Sequence, residues 1–124
     1  MRKESSMQIE TRLSDALSRY LDLAVSETKL TAGNMANIDT PGYRTQGFDF
    51  DTEMRKALGT VDGQRTESVY VRDVDGLVSR PDGNNVSMDR EGLQLAEAQL
   101  KFRTGVALMR LENQRVMDAI HADK

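Results

Sequence analysis

The chain has 124 residues, of which 38% are hydrophobic and 5% aromatic, with no cysteine and no tryptophan. Its 20 acids against 17 bases leave a net charge of −3, and no basic run reaches the density of a nucleic-acid footprint. Absent cysteine excludes a disulfide framework and a thiolate metal site, and no stretch approaches the roughly 18 apolar residues of a membrane-spanning helix.

At this length one domain is expected. Leu, Ile, Val and Phe make up only about a fifth of the chain, close to the composition at which burial stops offsetting chain entropy. Partner subunits are therefore expected to supply part of the burial. The start, Met1 to Gln8, has no apolar segment and does not read as a secretory signal. Lack of cysteine fits the cytosol and the extracytoplasmic space equally.

The first helical pattern runs from about Glu10 to Ile38. Leu17, Leu21, Ala24, Thr28, Thr31, Met35 and Ile38 recur at alternating spacings of four and three, and Leu13, Tyr20 and Leu30 widen the stripe. A stripe carrying threonines and an alanine suits close packing against other helices. An ordinary surface helix gives the same periodicity.

The pattern stops at Asn34-Met35-Ala36-Asn37-Ile38-Asp39-Thr40-Pro41-Gly42-Tyr43. Thr40 precedes a proline and is pushed out of the helical region, while Pro41-Gly42 suits the central positions of a type II turn. Asn34 and Asn37 lie on one face, placed to bond the last helix carbonyls or a neighbour's backbone. Tyr43 offers an apolar body with a polar tip. On these residues alone the plain reading is a helix stop with a turn attached.

From Arg44 to Asn85 short apolar clusters alternate with turn signals. Asp51 to Leu58 suits one or two helical turns. Ser68-Val69-Tyr70-Val71-Arg72 has strand propensity, and a hairpin with Leu77-Val78 across Asp75-Gly76 is expected. The last helical pattern runs from Met88 to about Ala122, capped by Ser87, with Asp89 and Glu91 in the first turn. Leu95, Phe102, Val106, Met109, Val116 and Ile120 form its stripe, widened by Leu93, Ala96, Leu100, Ala107 and Leu111. Gly105 in its interior is expected to permit a close helix approach or a bend.

No convergent set of titratable groups suggests catalysis. His121, the only histidine, sits at a helix C-terminus, where a cation complements the dipole. Asp73-Val74-Asp75-Gly76 begins like a calcium loop, but Leu77 and Asn84 stand where oxygen ligands belong. The chain is accordingly read as a non-enzyme with no cofactor, no metal, no nucleic acid and no small-molecule substrate.

Two motifs taken together carry a resemblance. Gly33 to Arg44 resembles the N-x-A-N-x-x-T-P-G-Y-K/R signature of bacterial flagellar rod and hook proteins. Phe48-Asp49-Phe50 is similar to the D-F-D-F element of the family's short proximal-rod members, and Asp82-Gly83-Asn84-Asn85-Val86-Ser87-Met88-Asp89-Arg90-Glu91 to their D-G-N-x-V-D-x-x-x-E approach to the last helix. The chain departs from that pattern at Ser87 (often Asp), Gly92 (often larger) and Phe102 (often Tyr), and Asp51 to Arg80 is unconstrained by it. The other type of short proximal-rod protein carries an insertion after the Thr, missing here. The distal rod and hook proteins are far longer and typically read Thr-x-Gly-Phe.

The resemblance implies a structural subunit of the basal-body rod, exported without a cleaved signal and assembled helically in the periplasm. Torque transmission and an export channel would follow. Its implied partners are copies of itself, other rod proteins, the rod-to-export-gate adaptor and the membrane ring. An adaptor or export chaperone of the flagellar system is the alternative. The expected fold is mainly α: long N- and C-terminal helices packed together in a coiled-coil-like way (1–43 with its turn, and 86–124), joined by an irregular middle (44–85) holding a short hairpin. The residues expected to form the assembly interface and its motif are the helix positions Leu17, Leu21, Ala24, Phe102, Val106, Met109, Val116 and Ile120, with Asn34, Ala36, Asn37, Thr40, Pro41, Gly42, Tyr43, Phe48, Phe50, Asn84 and Val86 between them.

Overall fold

A computed structural model describes residues 2–59 and 69–122, with side chains of the first helix described from residue 12 onward. Helix α1 spans Arg2–Ala36, strand β1 Gln46–Gly47, helix α2 Phe50–Gly59, strand β2 Arg72–Asp73 and helix α3 Met88–Ala122. The fold is mainly α, as the periodicity predicts. Helix α1 begins about eight residues earlier than the pattern predicted from Glu10, because the polar first turns carry no periodic signal yet continue the helix.

The two 35-residue helices, each about 52 Å long at 1.5 Å per residue, pack antiparallel. Three contacts set the register. Asn34 meets Glu91, Glu27 pairs with Lys101, and Tyr20 and Leu21 lie against Gly105. Residues whose numbers sum to about 126 thus stand at one level.

The contact between the helices is narrow and built from small residues. Ala24 and Ala98 are fully buried. A Cβ on Gly105 would stand 2.6 Å from Leu21 Cδ2 and 3.1 Å from Tyr20 Cδ1, so this glycine permits the close approach that its mid-helix position suggests. All seven residues of the predicted α1 stripe are buried or half-buried.

On α3 the inward line differs from the predicted one. It is Glu91, Ala98, Gly105 and Glu112, spaced by seven. Leu95, Val106, Met109 and Val116 flank it, half-buried. Phe102 and Ile120 are exposed, as are the widening residues Leu93, Leu100 and Leu111. Apolar residues occupy most of the circumference of α3, so periodicity alone did not single out the line that small and acidic residues take.

Helix α2 is clipped onto this pair by aromatic contacts. The Phe50 ring meets Tyr20 edge-on at 5.5 Å and stacks with Phe48 at 6.3 Å, and the Lys101 ammonium sits 3.9 Å over it. Asp49 caps α2, accepting from the Thr52 backbone N–H at 3.2 Å.

The middle segment contains a two-stranded antiparallel sheet, but with a different partner from the one expected. β2 pairs with β1, Gln46 opposite Asp73 and Gly47 opposite Arg72, and Leu77-Val78 forms no strand. The Val74 N–H donates to Thr45 O at 2.9 Å, drawing this segment to the strand that follows α1. Gly47 favours this, since a Cβ there would stand 2.9 Å from Val74 Cγ2. Asp75-Gly76 still turns, with Gly76 at φ +80°. Val69 to Val71 are not in a strand, and Ser68 lies outside the described residues.

Candidate functional site

Helix α1 ends at Ala36, and the Asn37 amide donates back to Gly33 O at 2.8 Å. Thr40 to Tyr43 then form a turn. The Tyr43 N–H donates to Thr40 O at 3.2 Å, with Gly42 at φ +75°, the left-handed value a type II turn requires at this position. The Thr40 hydroxyl donates to Asn37 Oδ1 at 3.0 Å, tying the turn to the helix end.

A second turn, at Arg80 to Gly83, lies against the first. The Gly83 N–H donates to Arg80 O and the Gly42 N–H to Asp82 O, both at 2.8 Å. Gly83, at φ +85°, approaches Gly42 so closely that a Cβ would touch the Gly42 Cα at 3.4 Å. Two glycines in left-handed conformations let the two backbones meet.

Four buried polar side chains, forming three locks, hold these turns to the helices. Asn34 uses its whole amide. Its Nδ2 donates to Gln46 O at 2.8 Å and Glu91 Oε2 at 3.1 Å, and its Oδ1 accepts from the Tyr43 hydroxyl and the Gln46 N–H, both at 3.0 Å. It thereby joins α1, the turn, β1 and α3. Asn84 is fully buried. Its Nδ2 lies 2.9 Å from the carbonyl oxygens of Asn37, Ile38 and Thr40, and its Oδ1 accepts from the Val86 N–H at 2.8 Å. The C-terminal end of α1 is thus capped by a residue 46 positions from Ile38 along the chain. Thr45 and Asn85 form the third lock: the Thr45 N–H and hydroxyl both donate to Asn85 Oδ1, at 2.6 and 2.9 Å. Arg80 adds bonds to Val86 O and Ile38 O.

Glu91 is the most buried acid of the joint, with no exposed surface. Arg90 Nη1 donates to its Oε1 at 2.6 Å while Asn34 holds the other oxygen. Burial, followed by the nearby Glu91 carboxylate, raises the Tyr43 hydroxyl above its ordinary pKa of 10.0. Ser87 caps α3 as expected, accepting from the Arg90 N–H at 3.3 Å.

The structure therefore brings together Asn34, Asn37, Thr40, Tyr43, Asn84 and Val86, and places Pro41 and Gly42 at the exposed apex of the turn. Ala36 is exposed at the last turn of α1, and Phe48 and Phe50 belong to the α2 clip. Leu17, Leu21, Ala24, Val106, Met109 and Val116 lie along the helix pair, away from the joint. Thr45, Gln46 and Arg80 escaped the sequence reading, and Asn85 and Glu91 entered it only as members of the second motif, Glu91 also as a first-turn acid. Glu91 does close the second motif, and the doubled Asn84-Asn85 after a turn signals local side-chain bonding. Neither signal tells which acid or amide will be buried.

A cleft of about 340 Å³ opens beside the joint, between α1, α3 and the small sheet, lined among others by Glu27, Gln46, Arg72, Asp73 and Arg90. No group of three or more metal-ligating side chains occurs among the described residues. Nor is any helix there long and apolar enough to cross a membrane.

No family model matches the chain. Among curated proteins it is similar to the flagellar basal body rod protein FlgB of Salmonella typhimurium strain LT2, with 31% identity covering 86% of this chain and 94% of the relative. The FlgB proteins of Escherichia coli K12 (26% identity, 87% and 95% covered) and Cereibacter sphaeroides (29%, 86% and 91%) are similar over the same extent. A likeness that runs through both motifs of the joint and nearly the whole length of these relatives assigns the chain to the FlgB family of flagellar basal body rod proteins.

Proposed function

We propose that this chain is a structural subunit of the proximal rod, assembling helically with copies of itself and other rod proteins. In that role it would transmit torque, surround the export channel and contact the adaptor at the export gate and the membrane ring. The observation that carries this reading is the joint. Asn34 and Asn84 fix the end of α1 against the start of α3 through buried, directional bonds, so the long helices leave at a set angle and register. A subunit under torsion needs such a joint, because an apolar contact alone permits sliding. The exposed leucines of α3 leave apolar area for neighbours to bury. We further propose a periplasmic location, reached by export without a cleaved signal peptide.

Isolation of basal bodies from cells expressing a tagged full-length chain tests the proposal. The tag should co-purify with the rod and stay with it when hook and filament are removed. Recovery only in the cytosolic fraction would overturn it in favour of an adaptor or export chaperone.

A further inference from the structure

The outward faces of α1 and α3 carry complementary patterns, and we infer that the α3 face of one copy docks antiparallel onto the α1 face of a second copy of this chain. The inference rests on the rod-subunit reading and names the surfaces through which copies meet. On α3 the leucine line Leu93 and Leu100 is 59% and 66% exposed. Beside it stand Arg103 and Arg110, seven residues apart and exposed. On α1 the outward line is Asp15, Asp22 and Lys29, also spaced by seven and exposed, next to the small residues Val25 and Ala32. Among the described residues Asp22, Lys29, Arg103 and Arg110 take part in no ion pair, and Asp15 holds only an exposed bond to Arg19.

The register within one chain makes the patterns match in space. Since levels sum to about 126, Arg103 stands level with Asp22 and Arg110 with Asp15. A neighbour set beside the first in the same orientation, without axial offset, therefore places two acids opposite two arginines. It also lays Leu100 and Leu93 on Val25 and Ala32. The contact is heterologous, so each copy offers one face and accepts the other, and it propagates from copy to copy.

Charge reversal on purified full-length protein tests this. One variant carries Asp15→Arg and Asp22→Arg, the other Arg103→Asp and Arg110→Asp. Sedimentation should show salt-sensitive self-association of the wild-type chain, weakened on the order of tenfold or more in each variant. Mixing the two variants should restore association, as should combining all four changes in one chain. Circular dichroism checks folding; if a double variant loses helicity, Asp22→Arg and Arg103→Asp replace it. Variants that associate as the wild type does, a loss that mixing fails to restore, or a wild-type chain monomeric at all concentrations would each overturn the docking. The rod reading stands or falls separately, on basal-body co-purification.

Discussion

Replacing Asn84 by alanine tests the joint most directly. The substitution removes the Nδ2 donor shared by the Asn37, Ile38 and Thr40 carbonyls and the acceptor of the Val86 N–H. The carbonyls are not left bare. Arg80 still donates to Ile38 O, the Thr40 N–H to Asn37 O and the Tyr43 N–H to Thr40 O. The Val86 N–H fares worse, since Val86 is buried at 3% exposure and its N–H donates to Asn84 Oδ1. An unsatisfied buried donor costs about 1–3 kcal/mol, and weaker capping of the carbonyls adds about 1 kcal/mol. The expected loss is therefore about 2–4 kcal/mol, against the roughly 5–15 kcal/mol of an ordinary domain. Asn84→Asp should lose more, because a carboxylate would face three carbonyl oxygens. Urea unfolding of the full chain, followed by circular dichroism, measures both. The exposed Asn113→Ala on α3 serves as control and should change stability by less than about 0.5 kcal/mol. An Asn84→Ala chain as stable as that control would refute the joint as a source of stability.

Three further outcomes follow from the same geometry. Gly92→Ala, with nothing within 4 Å of the new Cβ, should stabilise α3 by about 0.5–1 kcal/mol, whereas Gly105→Ala should gain nothing or lose up to about 2 kcal/mol as it displaces Leu21 and Tyr20; thermal melts compare the two. Burial raises the Tyr43 pKa in the folded chain, so its neutral form contributes stability that is fully present below pH 10 and lost as pH climbs through the raised value. Tyr43→Phe should flatten that alkaline fall in unfolding titrations. The backbone and side-chain bonds from Thr52 lower the Asp49 pKa below 3.8, so its capping of α2 is fully present above that value and fades as pH falls through the lowered one. Asp49→Asn should abolish this acid-induced loss of α2 protection, read from amide exchange corrected for its intrinsic pH dependence.

How much of this was legible depended on whether a residue acts locally. The type II turn at Thr40 to Tyr43, the Ser87 cap and the bounds of α3 follow from neighbours within four positions, and the structure has them where the sequence puts them. The α1 stripe was legible too, its seven residues all being buried or half-buried, although Leu23 is buried outside the stripe and Val25 is exposed. The expected hairpin does not form because β2 pairs with β1, Gln46 opposite Asp73 and Gly47 opposite Arg72, and nothing in Ser68–Arg72 encodes that choice. Its determinant is Gly47, which leaves room for Val74. The inward line of α3 failed for another reason. Its members are an acid, an alanine, a glycine and an acid, which hydropathy ranks below the leucines that in fact face outward. Glu91 is tolerated inside because Asn34 and Arg90 satisfy it, a fact that resides 57 residues away.

The same inversion explains why the chain joins its helices by buried amides instead of a larger apolar core. Among the described residues the fully or nearly buried apolar side chains are few and small: Leu23, Ala24, Ala57, Val86 and Ala98. Alanines and a glycine bring two helices close but fix their relative height poorly, since a shift by one heptad presents similar surfaces. Asn34 and Asn84 remove that freedom, because each bond made at one register is an unsatisfied buried group at every other. At Glu112 the outcome is different. This acid is 3% exposed, its Oε1 has no hydrogen-bond partner among the described residues, and Arg115, the cation it pairs with there, stands 3.9 Å off. The joint carries one such atom too, Asn85 Nδ2, but there the bonds of Asn34, Asn84 and Thr45 offset it, whereas the far end has none of these bonds to offset Glu112. Stability is accordingly expected to rise along the pair from Glu112 towards Asn34. Glu112→Gln, which removes the buried charge, should strengthen the far end without altering the joint. Hydrogen exchange on α3 would show this as added protection around residue 112 and none around residue 91; equal protection at both ends in the parent chain would contradict it.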